Sequence, residues 1–199
     1  MKSYLHPPKK VEPIAPPVIK DPNFEDFVAF DLETTGLRRT EDIIEIGAIR
    51  VRDGRAVSRF STLVRPRKSI PYVIEELTGI SNIMLSDAPK IEDVIPSFIE
   101  FIGDDILLGH NIVSYDSKFI CREAAELGIL IKNPLFDTLT YAKALKKIAP
   151  MPDSLCLTSL IDHFGISREN GHRAYDDALA NIKVFYCLRA LERTILQTK

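Results

Sequence analysis

Two acidic side chains stand at the end of a strongly apolar stretch near residue 30. The segment is Phe27-Val28-Ala29-Phe30-Asp31-Leu32-Glu33-Thr34-Thr35-Gly36. Its first four residues are apolar, which predicts a strand buried on both faces. Because side chains alternate along a strand, Asp31 and Glu33 point to the same side. Two carboxylates there repel each other unless a cation lies between them. A metal site is one interpretation, and a polar turn with solvated acids is the other.

Two further acids fall on faces of predicted helices that should be buried. The chain holds 28 Asp and Glu residues, so only acids on such faces are informative. In the last predicted helix Asp177 shares the apolar stripe of Val184, whereas Asp176 is turned about 100° away toward solvent. Asp116 shares a helix face with Phe119. The alternative for both acids is an ordinary first-turn position that the helix dipole favours.

These four acids come from three elements whose ends could meet at one edge of a sheet. Bringing them together without a cation would cost several kcal/mol. Carboxylate oxygens are ligands that suit Mg²⁺ or Mn²⁺ rather than zinc. His172 precedes Asp177 in a polar segment, where an imidazole titrates near neutral pH and can act as a base. The alternative for His172 is a loop or cap residue.

Composition limits the possible classes of protein. A chain of 199 residues with 45% hydrophobic residues fits one globular domain. Neither a secretory segment nor a run long enough to span a bilayer is found, so we expect a cytoplasmic protein without membrane contact. The net charge of -2 gives no general basic field, so a nucleic acid would be gripped locally at one end. The three cysteines are interpreted as reduced core thiols.

The first 23 residues differ in composition from the rest. They carry six prolines, at positions 7, 8, 13, 16, 17 and 22, interleaved with lysines. This composition predicts an extended arm. A solvated tail is one interpretation; an arm that packs on the domain or on a partner, through Val11, Ile14, Val18 and Ile19, is the other. Residues 24–199 are expected to form a single domain.

From Phe24 onward the pattern predicts an α/β domain. Three strands are expected over 26–31, 42–52 and 56–65, with Asp53-Gly54 as the hairpin turn between the last two. Two more strands are expected over 105–110 and near Leu135-Phe136. Helices are expected over 72–78, 90–102, 115–127, 137–148, 155–164 and 174–196. The sum is a mixed five-stranded sheet with three antiparallel strands first, flanked by helices.

Three motifs in this order resemble those of the DEDDh family of 3′→5′ exonucleases. They are Asp31-Leu32-Glu33-Thr34-Thr35-Gly36, then Gly109-His110-Asn111 with Tyr115-Asp116, then His172-Arg173-Ala174 with Asp177. The segments Leu77-Thr78-Gly79-Ile80 and Phe136-Asp137-Thr138 are similar to the same family, so the resemblance runs from about residue 26 to 190. Tyr115 departs from it mildly, since the family usually has Phe there. The family includes the proofreading subunit of the bacterial replicative polymerase, RNase T and oligoribonuclease.

The resemblance implies an RNase H-like fold and two divalent ions, Mg²⁺ or Mn²⁺. It implies that Asp31, Glu33 and Asp177 hold one ion. Asp31 would also face the second, together with Asp116. His172 would orient and deprotonate the attacking water, and Glu33 would share the catalytic role. A slot for the terminal nucleotide is implied for Thr34, Thr35, Gly36, Leu37, Ile80 and Asn111.

The expected function is a metal-dependent 3′→5′ exonuclease that acts on single-stranded 3′ ends and releases nucleoside 5′-monophosphates. DNA is favoured as the substrate, and RNA is the alternative. A polymerase or repair protein is left open as a partner. The alternative from another class is a non-catalytic module that keeps the fold to bind nucleic-acid ends or a polymerase. Such a module would be expected to lose an acid or the histidine, whereas all five residues are present here.

Overall fold

The computed structural model describes residues 9–38, 40–167 and 172–197 of the chain. Five strands form one sheet in the order β3-β2-β1-β4-β5. Their bounds are Phe27–Thr34 for β1, Ile43–Arg52 for β2, Arg55–Leu63 for β3, Leu107–Gly109 for β4 and Leu135–Asp137 for β5. β1, β2 and β3 are antiparallel, whereas β4 runs parallel to β1 and β5 parallel to β4. The predicted mixed sheet is therefore confirmed.

Helices cover both faces of this sheet. Their bounds are Tyr72–Thr78 for α1, Asn82–Ser86 for α2, Ile91–Ile102 for α3, Asp116–Glu126 for α4, Thr138–Leu145 for α5, Leu157–His163 for α6 and Ala174–Gln197 for α7. Strand β1 contributes Val28 and Phe30 to the core beneath α3 and α4, and Phe27 and Ala29 to the core beneath α7. This double burial explains the apolar run at the start of β1. None of the described helices is both long and apolar enough to cross a bilayer.

The hairpin between β2 and β3 sets how these strands align. Asp53 and Gly54 form its two-residue turn with φ values of 48° and 71°, the conformation that an Asp-Gly pair favours. In the antiparallel ladder of β1 and β2, Asp31 lies opposite Gly47. Glu33 lies opposite Glu45, and the register shifts between Glu33 and Thr34. Both acids of β1 therefore pair with residues of β2 on the α7 side of the sheet.

Several elements differ from the sequence-based prediction. β1 continues to Thr34 because its ladder with β2 persists as far as the register shift. β4 is only three residues long, because its ladders with β1 and β5 involve only Leu107–Gly109. Helix α2 was not predicted, because five residues capped by Ser81 show no helical period. Cys156 is exposed at the start of α6, so the prediction that all three cysteines lie in the core is wrong.

The described part of the proline-rich arm, residues 9–23, makes backbone hydrogen bonds to the domain. The Ile19 amide donates to the Leu135 carbonyl at 2.9 Å, and the Leu135 amide donates to the Pro17 carbonyl at 2.8 Å. The Val11 amide donates to the Ala125 carbonyl at 3.0 Å. Pro17 and Ile19 thus lie beside the outer edge of β5, and Val11 lies beside α4.

Gly47→Ala is expected to lower the free energy of unfolding by about 1–3 kcal/mol, as overpacking does elsewhere. A Cβ at this position would lie 2.1 Å from the Tyr175 nitrogen and 2.2 Å from the Ala174 carbonyl carbon. Chemical denaturation followed by circular dichroism measures the change. Gly36→Ala is the matched control, because its Cβ would meet only the flexible Glu41 side chain, at 3.3 Å. Equal losses for the two variants would contradict the close approach of α7 to β2.

Candidate metal centre

Three carboxylates converge at the end of β1. One oxygen atom each from Asp31, Glu33 and Asp177 lies within 4.8 Å of the others. Asp31 and Glu33 project from the same face of β1, and Asp177 belongs to the first turn of α7. Asp177 is only 7% exposed, whereas Asp176, which was expected on the solvent side, is half-buried. The structure thus brings together three of the four acids singled out in the sequence.

Two residues of β2 bring α7 to this place. Gly47 lies opposite Asp31 and has no side chain, so the backbone of Ala174 and Tyr175 can lie directly against the strand. Glu45, opposite Glu33, accepts a hydrogen bond from the Ala174 amide at 3.0 Å. The first turn of α7 is therefore attached to β2 beside the acids of β1.

The fourth acid, Asp116, lies beside this group at the start of α4. It is 3% exposed, and the backbone amides of Asp116 and Leu32 lower the pKa of its carboxyl against the larger raising effect of burial. Leu32 stands between Asp31 and Glu33, so Asp116 lies next to the strand that carries the other acids. The charge of Asp116 also contributes to the raised pKa of Glu33.

Crowding of buried acids raises their pKa values. Burial, followed by the charges of Asp177, Glu45 and Asp116, raises the pKa of Glu33 from 4.5 to about 8, against the opposing effect of Arg173. Burial is the main cause that raises the pKa of Asp116 to about 7. Without a cation the site therefore tends to hold protons near neutral pH. A divalent ion would favour the ionised carboxylates, and oxygen-rich sites of this kind suit Mg²⁺ or Mn²⁺.

His172 lies just before α7, on the segment that leads into the turn of Asp177. Its side chain is exposed and its φ is 60°, in the left-handed region. Residues 168–171, which precede it, lie outside the described residues. The next residue, Arg173, donates to Glu45, so the backbone is fixed on one side of the histidine.

The predicted nucleotide slot begins with the turn after β1. The Thr34 hydroxyl lies 2.8 Å from both the Gly36 carbonyl and the Tyr115 hydroxyl, which itself donates to the Gly36 carbonyl at 2.9 Å. The Thr35 hydroxyl donates to Glu41 at 2.8 Å. Leu37 is 87% exposed. The turn is thus held in a fixed shape that presents Leu37 to solvent.

The other two predicted slot residues have different environments. The Asn111 backbone has a φ of 64°, and its amide donates to Asp137 at 3.0 Å. Ile80 is fully buried against a small core cluster with Ile44 and Leu85. A role for Ile80 and Asn111 in substrate binding stays a prediction from the resemblance.

Sequence reasoning missed the residues that support the acids. Glu45 and Gly47 stood unremarked within the predicted second strand, although a charged residue in an apolar strand is a signal in itself. Asp137 begins the predicted helix over 137–148 and belongs to the Phe136-Asp137-Thr138 segment, but its contact with the Asn111 loop was not predicted. It caps α5 through the amides of Leu139 and Thr140, and it also holds the Asn111 loop.

Comparison with known proteins agrees with this geometry. Residues 28–185 match the family model RNase_T, described as an exonuclease. The chain is 39% identical over 161 residues to DNA polymerase III subunit epsilon of Aquifex aeolicus, covering 80% of this chain and 78% of that protein. It is 42% identical over 161 residues to the PolC-type DNA polymerase III of Clostridium perfringens, covering 80% of this chain but 11% of that relative.

A solved structure shows the same fold at lower identity. Exonuclease I of E. coli, in complex with a dT13 oligonucleotide, superimposes with a TM-score of 0.74 and 18% identity, covering 88% of this chain and 43% of that one. The expected resemblance to exonucleases and the expected fold are both confirmed. With its family-model match and its similarity to the Aquifex aeolicus subunit, this chain belongs to the exonuclease family.

Proposed function

We propose that this chain is a metal-dependent 3′→5′ exonuclease that hydrolyses single-stranded 3′ ends and releases nucleoside 5′-monophosphates. The observation that carries the proposal is the meeting of Asp31, Glu33 and Asp177 within 4.8 Å in an exonuclease-family domain. DNA is the favoured substrate because the relatives are named as parts of DNA polymerase III. The same names suggest a DNA polymerase as the class of partner.

The donor set fits two divalent ions, Mg²⁺ or Mn²⁺. Asp31, Glu33 and Asp177 would hold one, and Asp31 with Asp116 would hold the second. When bound, such ions stabilise the charge that develops on the attacking and leaving oxygens of a phosphodiester. His172 would accept the proton of the attacking water, a role for which an exposed imidazole is suited. The fixed turn from Thr34 to Leu37 would orient the terminal nucleotide.

The direct test is digestion of DNA and RNA oligonucleotides labelled at either end, in Mn²⁺ and with a chelator control. We expect immediate release of a labelled mononucleotide from the 3′-labelled DNA and a shortening ladder from the 5′-labelled DNA. Release of the 5′ label first would overturn the polarity. Binding of oligonucleotides without cleavage would instead support the non-catalytic alternative.

Mg²⁺ or Mn²⁺ should raise the melting temperature, and more at pH 8 than at pH 5. The folded-state pKa of Glu33, about 8, lies above its usual 4.5, so the metal-free fold loses stability as pH rises between these values. Bound metal offsets that loss, by about 2.7 kcal/mol when the ion is at 100 times its dissociation constant. Differential scanning fluorimetry measures both trends. A Glu33→Gln control should show a smaller metal response and a weaker pH trend, since Asp116 keeps its raised pKa. An unresponsive wild-type protein would remove the metal site.

Asp177→Asn should reduce turnover by more than the factor of about 10–100 that supporting residues of a metal site typically cost. Its neighbour Asp176 does not belong to the carboxylate group, so Asp176→Asn should retain turnover close to wild type. Initial rates on a 3′-labelled oligonucleotide distinguish the two. Loss of turnover in Asp176→Asn but not in Asp177→Asn would mean that Asp176, not Asp177, acts with the acids of β1.

His172→Ala should lower turnover by a factor of about 10²–10⁴, the usual contribution of a general base. The metal-induced rise in melting temperature should persist, since the histidine is not part of the carboxylate group. His163→Ala, at an exposed histidine of α6, is the control. Near-normal turnover of His172→Ala would exclude it as the base.

A further inference from the structure

A buried ion pair connects β2 to the residue that follows His172. Glu45 is 2% exposed, and its carboxylate accepts a hydrogen bond from Arg173 Nη2 at 2.6 Å. Arg173 Nε lies 3.1 Å from both carboxylate oxygens, and the Ala174 amide donates to the same carboxylate at 3.0 Å. One buried carboxylate therefore holds both the side chain of Arg173 and the backbone of the next residue.

This ion pair fixes the backbone directly after His172. His172 has a positive φ and an exposed side chain that hydrogen-bonds to none of the residues described by the structure. Among the described residues, the fixed point next to His172 in the chain is Arg173, which bonds to Glu45. A charge-assisted bond to both arms of a carboxylate is strong and directional, so it can hold a strained backbone in place.

Asp177 depends less on this pair. It belongs to the regular first turn of α7, where its amide donates to the Arg173 carbonyl at 2.9 Å. The neighbouring Ala174 and Ala178 are fully buried, so helix packing holds this turn in addition to the bond between the Ala174 amide and Glu45. Loss of the ion pair should therefore disturb the histidine before the carboxylate group.

From these contacts we infer that Glu45 and Arg173 are positioning residues for His172. The inference rests on the proposed function, in which His172 is the base. The Glu45 carboxylate accepts from three donor groups, which are Nε and Nη2 of Arg173 and the Ala174 amide. In Glu45→Gln the side-chain NH₂ would replace one acceptor oxygen and would point at a donor instead. Misplacing a catalytic group by about 1 Å can cost 10²-fold in rate.

Arg173 has a second conceivable role, because it also lines an open cleft of about 520 Å³ with Arg59 and Tyr175. A guanidinium there could contact a phosphate of the substrate directly. However, Nε and Nη2 of Arg173 already bond to Glu45, which favours the positioning role. The two roles differ in kinetics: direct substrate contact changes KM, whereas misplacement of the base changes kcat.

The test measures kcat and KM for Glu45→Gln and Arg173→Lys, each in wild-type and His172→Ala backgrounds, with single-turnover assays in Mn²⁺ for slow variants. In the wild-type background we expect kcat to fall by about 10- to 100-fold with little change in KM. In the His172→Ala background we expect no further fall, because the histidine through which the pair acts is gone. An equal fall in both backgrounds, or an effect confined to KM, would overturn the inference.

Arg173→Lys keeps the positive charge and leaves Glu45 bonded to the Ala174 amide, so it is the variant to use if Glu45→Gln does not fold. Arg189→Lys is the control. Arg189 lies on α7 well beyond its first turn and pairs with Glu25, which precedes β1, so this variant should leave kcat unchanged. If wild-type protein cleaves nothing, the proposed function fails. If wild type cleaves and His172→Ala cleaves measurably more slowly in single-turnover assays, the proposed function stands, and the comparison of the two backgrounds decides the role of Glu45.

Discussion

The antiparallel register of β1 and β2 is the constraint on which the site depends. It places Gly47 opposite Asp31 and Glu45 opposite Glu33. The glycine lets α7 approach the strand, and Glu45 holds the start of that helix, so Asp177 arrives beside the two acids of β1. A slip of one residue would turn every side chain of the strand to the other sheet face. The site can therefore form only in this register.

The electrostatics of the site differ between the metal-free protein and the metal-bound form that we propose. Burial and the charges of neighbouring acids raise the pKa of Glu33 to about 8 and that of Asp116 to about 7. Folding therefore brings together carboxyl groups whose negative charge the nearby basic side chains do not fully compensate. Arg173 reduces this effect only in part, since Glu45 holds its guanidinium. Under the proposed function a divalent cation would complete this site, because Asp31, Glu33 and Asp177 each present an oxygen within 4.8 Å of the others.

The sequence predicted elements with strong periodicity or turn chemistry, and it predicted the inward phase of Asp177. These features depend on local patterns that a single chain displays. It could not predict α2, whose five residues have no period, nor the supporting role of Glu45, which depends on a partner 128 residues away. The buried position of Ile80 likewise follows from contacts with other elements. The features that the sequence did not predict are contacts between residues far apart in the chain.

The central claim is that Asp31, Glu33 and Asp177 bind a divalent cation. Anomalous scattering from a crystal of the wild-type protein soaked in Mn²⁺ tests it most directly. The account predicts a strong peak within coordination distance of one oxygen from each of the three carboxylates. A saturated soak with no peak there, or with its main peak elsewhere on the molecule, would contradict it.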